Sequence, residues 1–417
     1  MRIARIQPPV GYGVPTSDLI SSVYDAGRTP AYRQNIFETE FANRLGVRKA
    51  FGVSSGKAAL TIILTALNAL TGRRKVIVPA YTCYSLPSSI VKAGLEVVPC
   101  DVAPEGFDYN YERLVPMLGS DVLCVVSVHL FGIPSDTTRT KDLCRQSGIF
   151  VVEDAAQAMG ISRAGKPLGT RGDVGFYSLG RGKNLTCGSG GVIVTPSPEI
   201  AGAVESIVGG LPVNPFGNDA RTFFTLLLLS VFVSPSLYWL PAGLPFLRLG
   251  ETIFHRDFPV RPLSNFQAAL VLRGLREHLA SLNEARCANA EFYISRIKGA
   301  RDYGPDIPYL RFPVVLDDPE AKRRILVEQA ALGISGMYPG TVGTIRELGS
   351  LLPRASYPQA ERLASSLITL PTHPLVSDVD RERICETVNL TMRAAEPRLA
   401  ASPLAARSIN PSSRQAC

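Results

Sequence analysis

Three short segments of the sequence contain residue types that could together bind an anion and carry out amine chemistry. The first, Ser54-Ser55-Gly56-Lys57, follows an apolar run and leads directly into a helical pattern. Small residues at a helix N-terminus leave backbone N–H groups free to hold a phosphate, and the helix dipole adds to the attraction. An ordinary serine N-cap would explain the same residues. The segment is one residue too short for a GxxxxGK[ST] loop and has Ala58 at the hydroxyl position, so nucleotide hydrolysis is rejected.

The second segment, Glu153-Asp154-Ala155-Ala156-Gln157, follows the apolar run Ile149–Val152. A carboxylate at the end of a buried strand is unfavourable unless it meets a cation or a hydrogen-bond donor. The protonated nitrogen of a cofactor ring would be such a partner. The alternative is that the aspartate is the N-cap of the following helix.

The third segment places Lys183 between glycines, in Gly180-Arg181-Gly182-Lys183, shortly before Gly188-Ser189-Gly190-Gly191. Burial lowers the pKa of a lysine toward nucleophilic use, and glycines let the backbone approach a ligand closely. The alternative is an exposed loop lysine. Taken together, the three segments offer a phosphate seat, an anion for a pyridine nitrogen and an amine for a Schiff base, which suits pyridoxal phosphate.

These segments need a scaffold, and the first two-thirds of the chain alternates short β-branched runs with amphipathic runs. The strand candidates are Lys49–Val53, Lys75–Pro79, Glu96–Cys100, Val122–His129, Ile149–Glu153, Val174–Ser178 and Gly191–Thr195. Strands separated by helices predict βαβ units and a mostly parallel seven-stranded sheet covered on both faces. Ligands bind such sheets outside the carboxyl ends of the strands, where the three segments lie.

The expected fold is therefore α/β, with a large cofactor-binding domain over residues 1–264. From about Asn265 the pattern changes to long helical stretches such as Phe266–Lys298, with short strands such as Tyr309–Val315. This change predicts a smaller C-terminal α+β domain over residues 265–399. The tail, residues 400–417, is rich in Ser, Ala, Pro and Arg and is expected to be disordered.

Residues 222–247 form an apolar insertion of 26 residues without a charge. The segment is long enough to cross a bilayer, but Pro235, Pro241 and Pro245 interrupt it, and proline breaks a helix. Three interpretations remain open: a buried or dimer-interface insertion, an apolar hairpin lying in a membrane interface, and a true span.

The composition of the 417 residues, with 46% hydrophobic and 19% charged, excludes a disordered or fibrous protein. The net charge of +8 comes in short clusters, which favours a solvated basic surface over a nucleic-acid footprint. The eight cysteines form no CxxC pair or zinc-ligand spacing, so neither a disulfide framework nor a metal site is expected. The N-terminal residues lack the apolar run of a secretory signal, so a cytoplasmic location is expected.

The sequence resembles the DegT-type family of pyridoxal-phosphate-dependent sugar aminotransferases. The similar segments cover nearly the whole chain except the apolar insertion and the tail: Phe37–Leu60 (FETEFANRLGVRKAFGVSSGKAAL), Val76–Thr82 (VIVPAYT), Val128–Asp136, Val152–Gly160 (VEDAAQAMG), Gly172–Gly191 (GDVGFYSLGRGKNLTCGSGG), Leu263–Leu275 and Leu370–Ile384. The resemblance implies fold type I of the pyridoxal phosphate enzymes and a homodimer with active sites at the subunit interface.

The resemblance also implies a role for each candidate residue. Lys183 would form the Schiff base with the cofactor and move protons. Asp154 would pair with the ring nitrogen, and Gln157 would bond near the phenolic oxygen. His129 falls at a motif position, where packing or hydrogen bonding is as well supported as substrate contact.

The phosphate would be held by Ser178 together with the backbone of Gly56 and Lys57. The family usually has Ser-Gly-Thr at the start of this helix, so the lysine exchanges a hydroxyl contact for an ammonium contact.

Two further positions depart from the family pattern. The aromatic residue that stacks on the cofactor ring falls at Cys83. Tyr81 or Tyr84 would substitute for it, or the thiol simply packs there. In the family, an asparagine of the partner subunit reaches the phosphate. The corresponding residue here is Pro262, and the neighbouring Arg261 could replace the asparagine.

The expected reaction moves an amino group, from glutamate, to a keto-sugar, which is expected to be nucleotide-linked, in cell-surface polysaccharide or secondary-metabolite biosynthesis. Some relatives with histidine in place of the lysine are dehydratases, so Lys183 favours amination. One alternative is a family member that contacts the inner face of a membrane through residues 222–247 and acts on a lipid-linked acceptor. Another is a non-catalytic relative that only binds cofactor.

Overall fold

The computed structural model describes residues 5–28, 30–247, 249–349, 351–352 and 355–393. The strands are β1 (Lys49–Val53), β2 (Lys75–Pro79), β3 (Glu96–Cys100), β4 (Val122–Val128), β5 (Phe150–Asp154), β6 (Ser162–Arg163), β7 (Lys166–Pro167), β8 (Val174–Ser178), β9 (Gly191–Thr195), β10 (Arg311–Val315) and β11 (Leu367–Pro371). The helices are α1 (Thr16–Arg28), α2 (Pro30–Leu45), α3 (Gly56–Thr71), α4 (Ser85–Lys92), α5 (Tyr111–Leu114), α6 (Thr137–Arg145), α7 (Pro198–Gly209), α8 (Asn218–Phe232), α9 (Trp239–Ala242), α10 (Asn265–Glu277), α11 (Leu279–Arg296), α12 (Pro319–Glu328), α13 (Pro358–Ser366) and α14 (Asp378–Arg393). Short 3₁₀ turns occupy Val115–Met117, Leu130–Gly132, Pro245–Leu247, Ala330–Leu332, Val342–Thr344 and Arg346–Leu348.

Seven strands form the central sheet, in the order β1-β9-β8-β5-β4-β2-β3. Strand β9 runs antiparallel to both of its neighbours, and the remaining pairings are parallel. Every residue of β4 is buried, as expected of a strand with helices on both faces. The predicted α/β fold with a mostly parallel seven-stranded sheet is confirmed, with β4 ending one residue earlier than predicted and β5 shifted by one residue, so that it ends at Asp154.

The parallel strands β5 and β8 place their carboxyl ends side by side, because Asp154 pairs with Phe176 in the register. Helix α3 follows β1 and packs its small and aliphatic residues into the core beneath β8 and β9. Gly72 ends this helix in a left-handed conformation, with φ of 71°, which glycine adopts at no steric cost. The ends of β5 and β8 and the start of α3 therefore face one region.

The predicted long helix over Phe266–Lys298 is wrong in one respect, because it is divided into α10 and α11 at His278. His278 has φ of −123°, outside the helical range, and its Nε2 lies 2.6 Å from Asp18 of α1. Ser264 and Gln267 form a capping box that begins α10. A contact from a distant helix therefore marks a break that the apolar periodicity did not indicate.

The C-terminal part has a core of its own, in which the antiparallel pair β10 and β11 packs with α11, α12 and α14. This agrees in kind with the α+β pattern expected after residue 264. The boundaries 1–264 and 265–399 stay predictions. The predicted tail, residues 400–417, lies outside the described residues.

The apolar insertion is helical, with α8 followed by α9 and the turn Pro245–Leu247. Two hydrogen bonds, each 2.9 Å long, join it to the N-terminal residues. The N–H of Ile6 donates to the carbonyl of Pro235, and the N–H of Val14 donates to Ser230 Oγ. In the part of the chain that the structure describes, none of the helices combines the length and the apolar character needed to cross a membrane.

Candidate active site

One cavity of about 170 Å³ brings together all the residues predicted to bind the cofactor. Its lining includes Gly56, Lys57, Cys83, Asp154, Gln157, Ser178 and Lys183. They come from the start of α3, the loop before α4, the ends of β5 and β8, and the loop after β8. Sequence positions that are up to 127 residues apart therefore meet at the carboxyl edge of the sheet.

Asp154 ends β5 and is buried. Its Oδ1 accepts the N–H of Ala156 at 2.9 Å. Burial raises the pKa of this carboxyl group, and the Ala156 N–H and the positive charge of Lys183 only partly oppose that rise. A buried carboxylate of this kind is best stabilised by a further cation or donor inside the cavity. A protonated ring nitrogen meets that requirement.

Lys183 lies in the loop after β8, and the backbone of Gly182 is left-handed there, with φ of 75°. A side chain at Gly182 would also clash with Val10, whose Cγ2 would lie 2.5 Å from an added Cβ. The glycine therefore lets the N-terminal segment pass directly over this loop. The lysine itself lines the cavity beside Asp154.

The geometry at the start of α3 agrees with both interpretations of this segment, as a serine N-cap and as a phosphate seat. Ser55 is the N-cap, and its Oγ accepts the N–H of Ala58 at 3.0 Å. At Gly56 an added Cβ would lie 3.1 Å from Ser178 Cβ and 3.2 Å from its Oγ. Only glycine leaves the space between the helix N-terminus and the serine hydroxyl open for an anion.

Lys57 is half-buried in the first turn of α3, and its Nζ lies 4.6 Å from the centre of the Phe258 ring. Burial lowers the pKa of Lys57, and the nearby Cys83 opposes this shift. The ammonium group thus sits at the cavity wall against an aromatic face.

The position at which the family has an aromatic residue to stack on the cofactor ring is occupied by Cys83. Cys83 lines the cavity, and its Sγ lies 3.2 Å from Ser85 Oγ. Tyr81 packs behind the cavity with its ring 5.5 Å from that of Tyr338, and Tyr84 lines a neighbouring cavity. The substitution of a tyrosine for the missing aromatic residue stays a prediction, and Phe176 and Tyr338 are the phenylalanine and tyrosine found in the cavity lining.

Gln157 is held from two sides. Its Oε1 accepts the N–H of Phe131 at 2.7 Å, and its Nε2 donates to the hydroxyl of Tyr338 at 3.2 Å. Phe131 has φ of 61°, a conformation that non-glycine residues rarely adopt. The glutamine therefore stabilises a strained turn and also orients a tyrosine from the C-terminal part of the chain.

Thr82 and Tyr338 are cavity residues that the sequence analysis missed. The Oγ1 of Thr82 is buried, and no described residue forms a hydrogen bond with it. A buried hydroxyl without a partner is unfavourable unless a ligand satisfies it. Thr82 lies directly before Cys83 in a segment that resembles the family, so its position could have been found. Tyr338 has no comparable signal.

His129 lines the cavity and forms a fully buried pair with Glu153, with 2.7 Å between His129 Nε2 and Glu153 Oε2. Ser135 donates its N–H to His129 Nδ1 at 3.1 Å, so the ring proton is on Nε2. Glu153 also accepts N–H groups from Gly169 and Gly172. Burial alone would raise the pKa of Glu153, but these hydrogen bonds outweigh it and lower the pKa. Both ring nitrogens of His129 are thus engaged in hydrogen bonds that hold loops.

Arg261 lies beside the phosphate-seat segment, where its guanidinium donates to the carbonyl of Val213 at 2.5 Å. Its backbone N–H donates to Ser54 Oγ at 3.2 Å. Pro262 forms a bridge with Val53 at the end of β1. The expected contact of Arg261 with the site of a partner subunit stays a prediction.

The groups that line the cavity fit pyridoxal phosphate. It has a helix N-terminus with an open glycine, a buried carboxylate with a raised pKa, an amine beside it and a buried hydroxyl that needs a partner. Residues 21–210 match the model of the DegT/DnrJ/EryC1/StrS aminotransferase family.

Relatives with known names agree with this match. GDP-perosamine synthase from Vibrio cholerae is 35% identical over 161 residues, which cover 39% of this chain and 44% of that protein. The chain therefore spans less than half the length of this relative. The dTDP-3-amino-3,4,6-trideoxy-alpha-D-glucose transaminase from Streptomyces venezuelae is 28% identical over 387 residues, 89% of this chain and 91% of the relative.

Solved structures show the same fold. DesV from S. venezuelae, in complex with a ketimine intermediate, has a TM-score of 0.70 and 26% identity over 90% of this chain and 93% of its own. PseC from Helicobacter pylori, an aminotransferase of pseudaminic acid biosynthesis by its description, has a TM-score of 0.73 at 17% identity, over 94% of this chain and all of its own. Residues 21–210 therefore form a domain of the DegT/DnrJ/EryC1/StrS aminotransferase family, whose members depend on pyridoxal phosphate.

Proposed function

We propose that this protein transfers an amino group from glutamate to a keto-sugar, with pyridoxal phosphate as cofactor, in cell-surface polysaccharide or secondary-metabolite biosynthesis. The observation that carries the proposal is the single cavity in which Lys183, Asp154 and the start of α3 meet. The names of the relatives contain GDP- and dTDP-linked sugars, which favours a nucleotide-linked acceptor over a lipid-linked one.

When bound, pyridoxal phosphate supplies an electron-withdrawing ring that stabilises negative charge at the substrate Cα. Asp154 would keep the ring nitrogen protonated, since its buried carboxylate is stabilised by a neighbouring positive charge. Lys183 is the amine that would hold the cofactor covalently. Once free, its Nζ would take the proton from the substrate Cα and deliver it to the cofactor carbon C4′, acting as general base and then as general acid.

The phosphate would be bound by the backbone N–H groups of Gly56 and Lys57 and by Ser178 Oγ. The Lys57 ammonium would supply charge where the family has a hydroxyl. Gln157, held by Phe131 and Tyr338, would bond near the phenolic oxygen. Cys83 would lie at the ring face. These assignments follow the motif positions, and the shared cavity supports them.

A homodimer is proposed from the family resemblance, with Arg261 reaching the partner subunit's phosphate site. Light scattering on the purified protein tests the subunit number. A cytoplasmic location, with peripheral contact of residues 222–247 at the inner face of the membrane, also stays a prediction.

Borohydride reduction followed by peptide mass spectrometry tests the role of Lys183. The reduced cofactor should be attached to the peptide that contains Lys183. In Lys183→Ala this adduct should be lost, and turnover with glutamate should fall by at least about a thousandfold. Lys166→Ala, which removes an exposed lysine of β7, is the matched control and should behave as the native protein. An adduct that persists in Lys183→Ala would remove this lysine from its role.

The non-catalytic alternative makes a different prediction. A protein that only binds cofactor would convert none of the common amino donors to their keto acids, although the Lys183 adduct would still form. Turnover of glutamate in a half-reaction therefore separates the two functions.

A further inference from the structure

The exposed apolar side chains of this protein are concentrated in one part of the chain. Among the described residues, eighteen large hydrophobic side chains are exposed, and ten of them lie between residues 213 and 249. These ten are Val213, Phe216, Phe224, Leu228, Val231, Leu237, Leu240, Phe246, Leu247 and Leu249. Large exposed apolar patches mark interaction sites on proteins, so this part of the chain is a candidate for one.

Helix α8 is apolar on two sides, one buried and one exposed. On the inner side Leu226 is fully buried, and the partly buried Phe223 and Leu227 pack against the core that contains α10. On the outer side Phe224, Leu228 and Val231 are exposed by 60%, 58% and 49%. Their spacing of four and three residues places them on one helix face. The outer face of α8 therefore has no cover within the described chain.

Helix α1 extends this surface, because it packs beside α8 and exposes Ile20, Val23 and Tyr24. We call the exposed apolar residues of α1, α8 and the segment after α8 the insertion surface. It is defined by Ile20, Val23, Tyr24, Phe224, Leu228, Val231, Leu237 and Leu240.

The two exposed charged side chains of α1 and α8, Arg28 and Arg221, are both positive. Arg28 is exposed, stacks 5.2 Å above the ring of Tyr24 and donates to its hydroxyl at 2.7 Å. Arg221 is exposed in the first turn of α8. Of the two nearby aspartates, Asp25 is paired with Arg273 at 3.5 Å, and Asp219 buries its Oδ1. The chain as a whole has a net charge of +8.

We propose that the insertion surface docks on an anionic lipid bilayer, with α8 lying in the plane of the interface. Its 15 residues would extend for about 22 Å, which is shorter than the roughly 30 Å hydrocarbon core. A helix with an apolar outer face and basic residues at its edge is the kind that lies at the headgroup level.

The charges favour lipid over a second copy of the chain. A two-fold contact would place the same surface of both copies face to face. Both copies would then present the exposed cations Arg28 and Arg221 toward the same interface, and an excess of like charge at an interface is unfavourable. Anionic headgroups are instead complementary to these cations. The inference goes beyond the amino transfer, because it concerns a partner and not the cavity.

Vesicle flotation with the full-length, cofactor-loaded protein tests the proposal. The protein should float with vesicles of phosphatidylcholine and phosphatidylglycerol, float less at high salt, and float little with phosphatidylcholine alone. The triple variant Phe224→Ser/Leu228→Ser/Val231→Ser should bind anionic vesicles at least about tenfold more weakly. Arg221→Gln should weaken binding to anionic vesicles by a smaller factor.

A matched control removes apolar residues elsewhere. Val327→Ser/Val379→Ser/Leu390→Ser changes side chains on α12 and α14 that are exposed by 73%, 66% and 64%, and it should leave flotation unchanged. Native far-ultraviolet circular dichroism of both triple variants shows that they fold.

Two kinds of outcome would overturn the proposal. The first concerns flotation: the native protein fails to float with anionic vesicles, or the triple variant floats as well as the native protein does. The other is a change in subunit number in the triple variant without any vesicle binding by the native protein, which would assign the surface to a second copy. Lys183→Ala should float normally, so failure of the enzymatic proposal and of this one are distinguishable.

Discussion

The cofactor cavity and the insertion surface differ in the kind of group that the fold leaves incompletely satisfied. In the cavity these groups are polar: the Thr82 hydroxyl, which has no described hydrogen-bond partner, the open helix start at Gly56, and the Asp154 carboxylate, whose raised pKa is only partly opposed by its neighbours. They converge on a small buried space. On the insertion surface the groups without cover are apolar, such as Phe224 and Leu228, and they point outward.

This difference indicates the ligand of each region. Buried polar groups without partners are costly, so the cavity is complementary to a compact, charged molecule that satisfies several of them together. Burying exposed apolar side chains against any extended apolar partner lowers the free energy, because it removes apolar surface from water. The cavity is thus specific for one small molecule, whereas the insertion surface is specific only for an apolar partner.

The largest expected effect tests the polar side of this comparison. Asp154→Asn removes the negative charge that would keep the ring nitrogen protonated, and turnover with glutamate should fall by about a thousandfold. The exposed Asp142→Asn is the control and should retain native activity. Steady-state kinetics measures both. Near-native turnover in Asp154→Asn would show that the cavity does not depend on this charge.

A second prediction concerns the buried pair of His129, which lines the cavity, and Glu153. Glu153→Gln leaves donors from His129 and the loop of Gly169 with a weaker acceptor, and the free energy of unfolding should fall by about 3 kcal/mol at pH 7. Urea unfolding followed by tryptophan fluorescence measures this difference. An unchanged midpoint would mean that the pair contributes little to stability.

The same pair predicts a direction with pH. The pKa of Glu153 in the folded protein is lowered from its ordinary 4.5, so the native state favours the ionised form. Its contribution to stability is therefore complete above the unfolded-state pKa and is lost as pH falls through the folded-state pKa. The difference between native protein and Glu153→Gln should accordingly shrink in acid, below about pH 4.5. A difference that grows in acid would contradict this assignment.

The smallest expected effects compare the two sides of α8. Leu226→Ala on the buried side should lower the free energy of unfolding by about 2–3 kcal/mol, because it leaves a cavity in the core. Phe224→Ser on the exposed side should change it by less than about 0.5 kcal/mol. Denaturant unfolding without lipid measures both. Equal effects would mean that the outer face is covered in the isolated protein.

Much of the large domain could be predicted from the sequence because each strand and helix is encoded by neighbouring residues. The seven strands have apolar, β-branched runs, and the order of strands and helices restricts how they pair. The segments before α3, after β5 and after β8 were therefore expected at one sheet edge. Their meeting in a single cavity agrees with that expectation, and the individual roles of Lys183 and Asp154 await the experiments above.

Other features depend on contacts between distant segments. Tyr338 reaches Gln157 across 181 positions, and His278 meets Asp18 across 260. No local pattern contains either contact.

The insertion shows the same limit most clearly. The sequence by itself determined that residues 222–247 are apolar and without charge, because composition is a local property. Only the tertiary structure decided that Leu226 is covered and Phe224 is not, since burial depends on which remote elements pack against each side of a helix. The physical reason is that hydrophobicity belongs to a residue, whereas exclusion from water belongs to its surroundings.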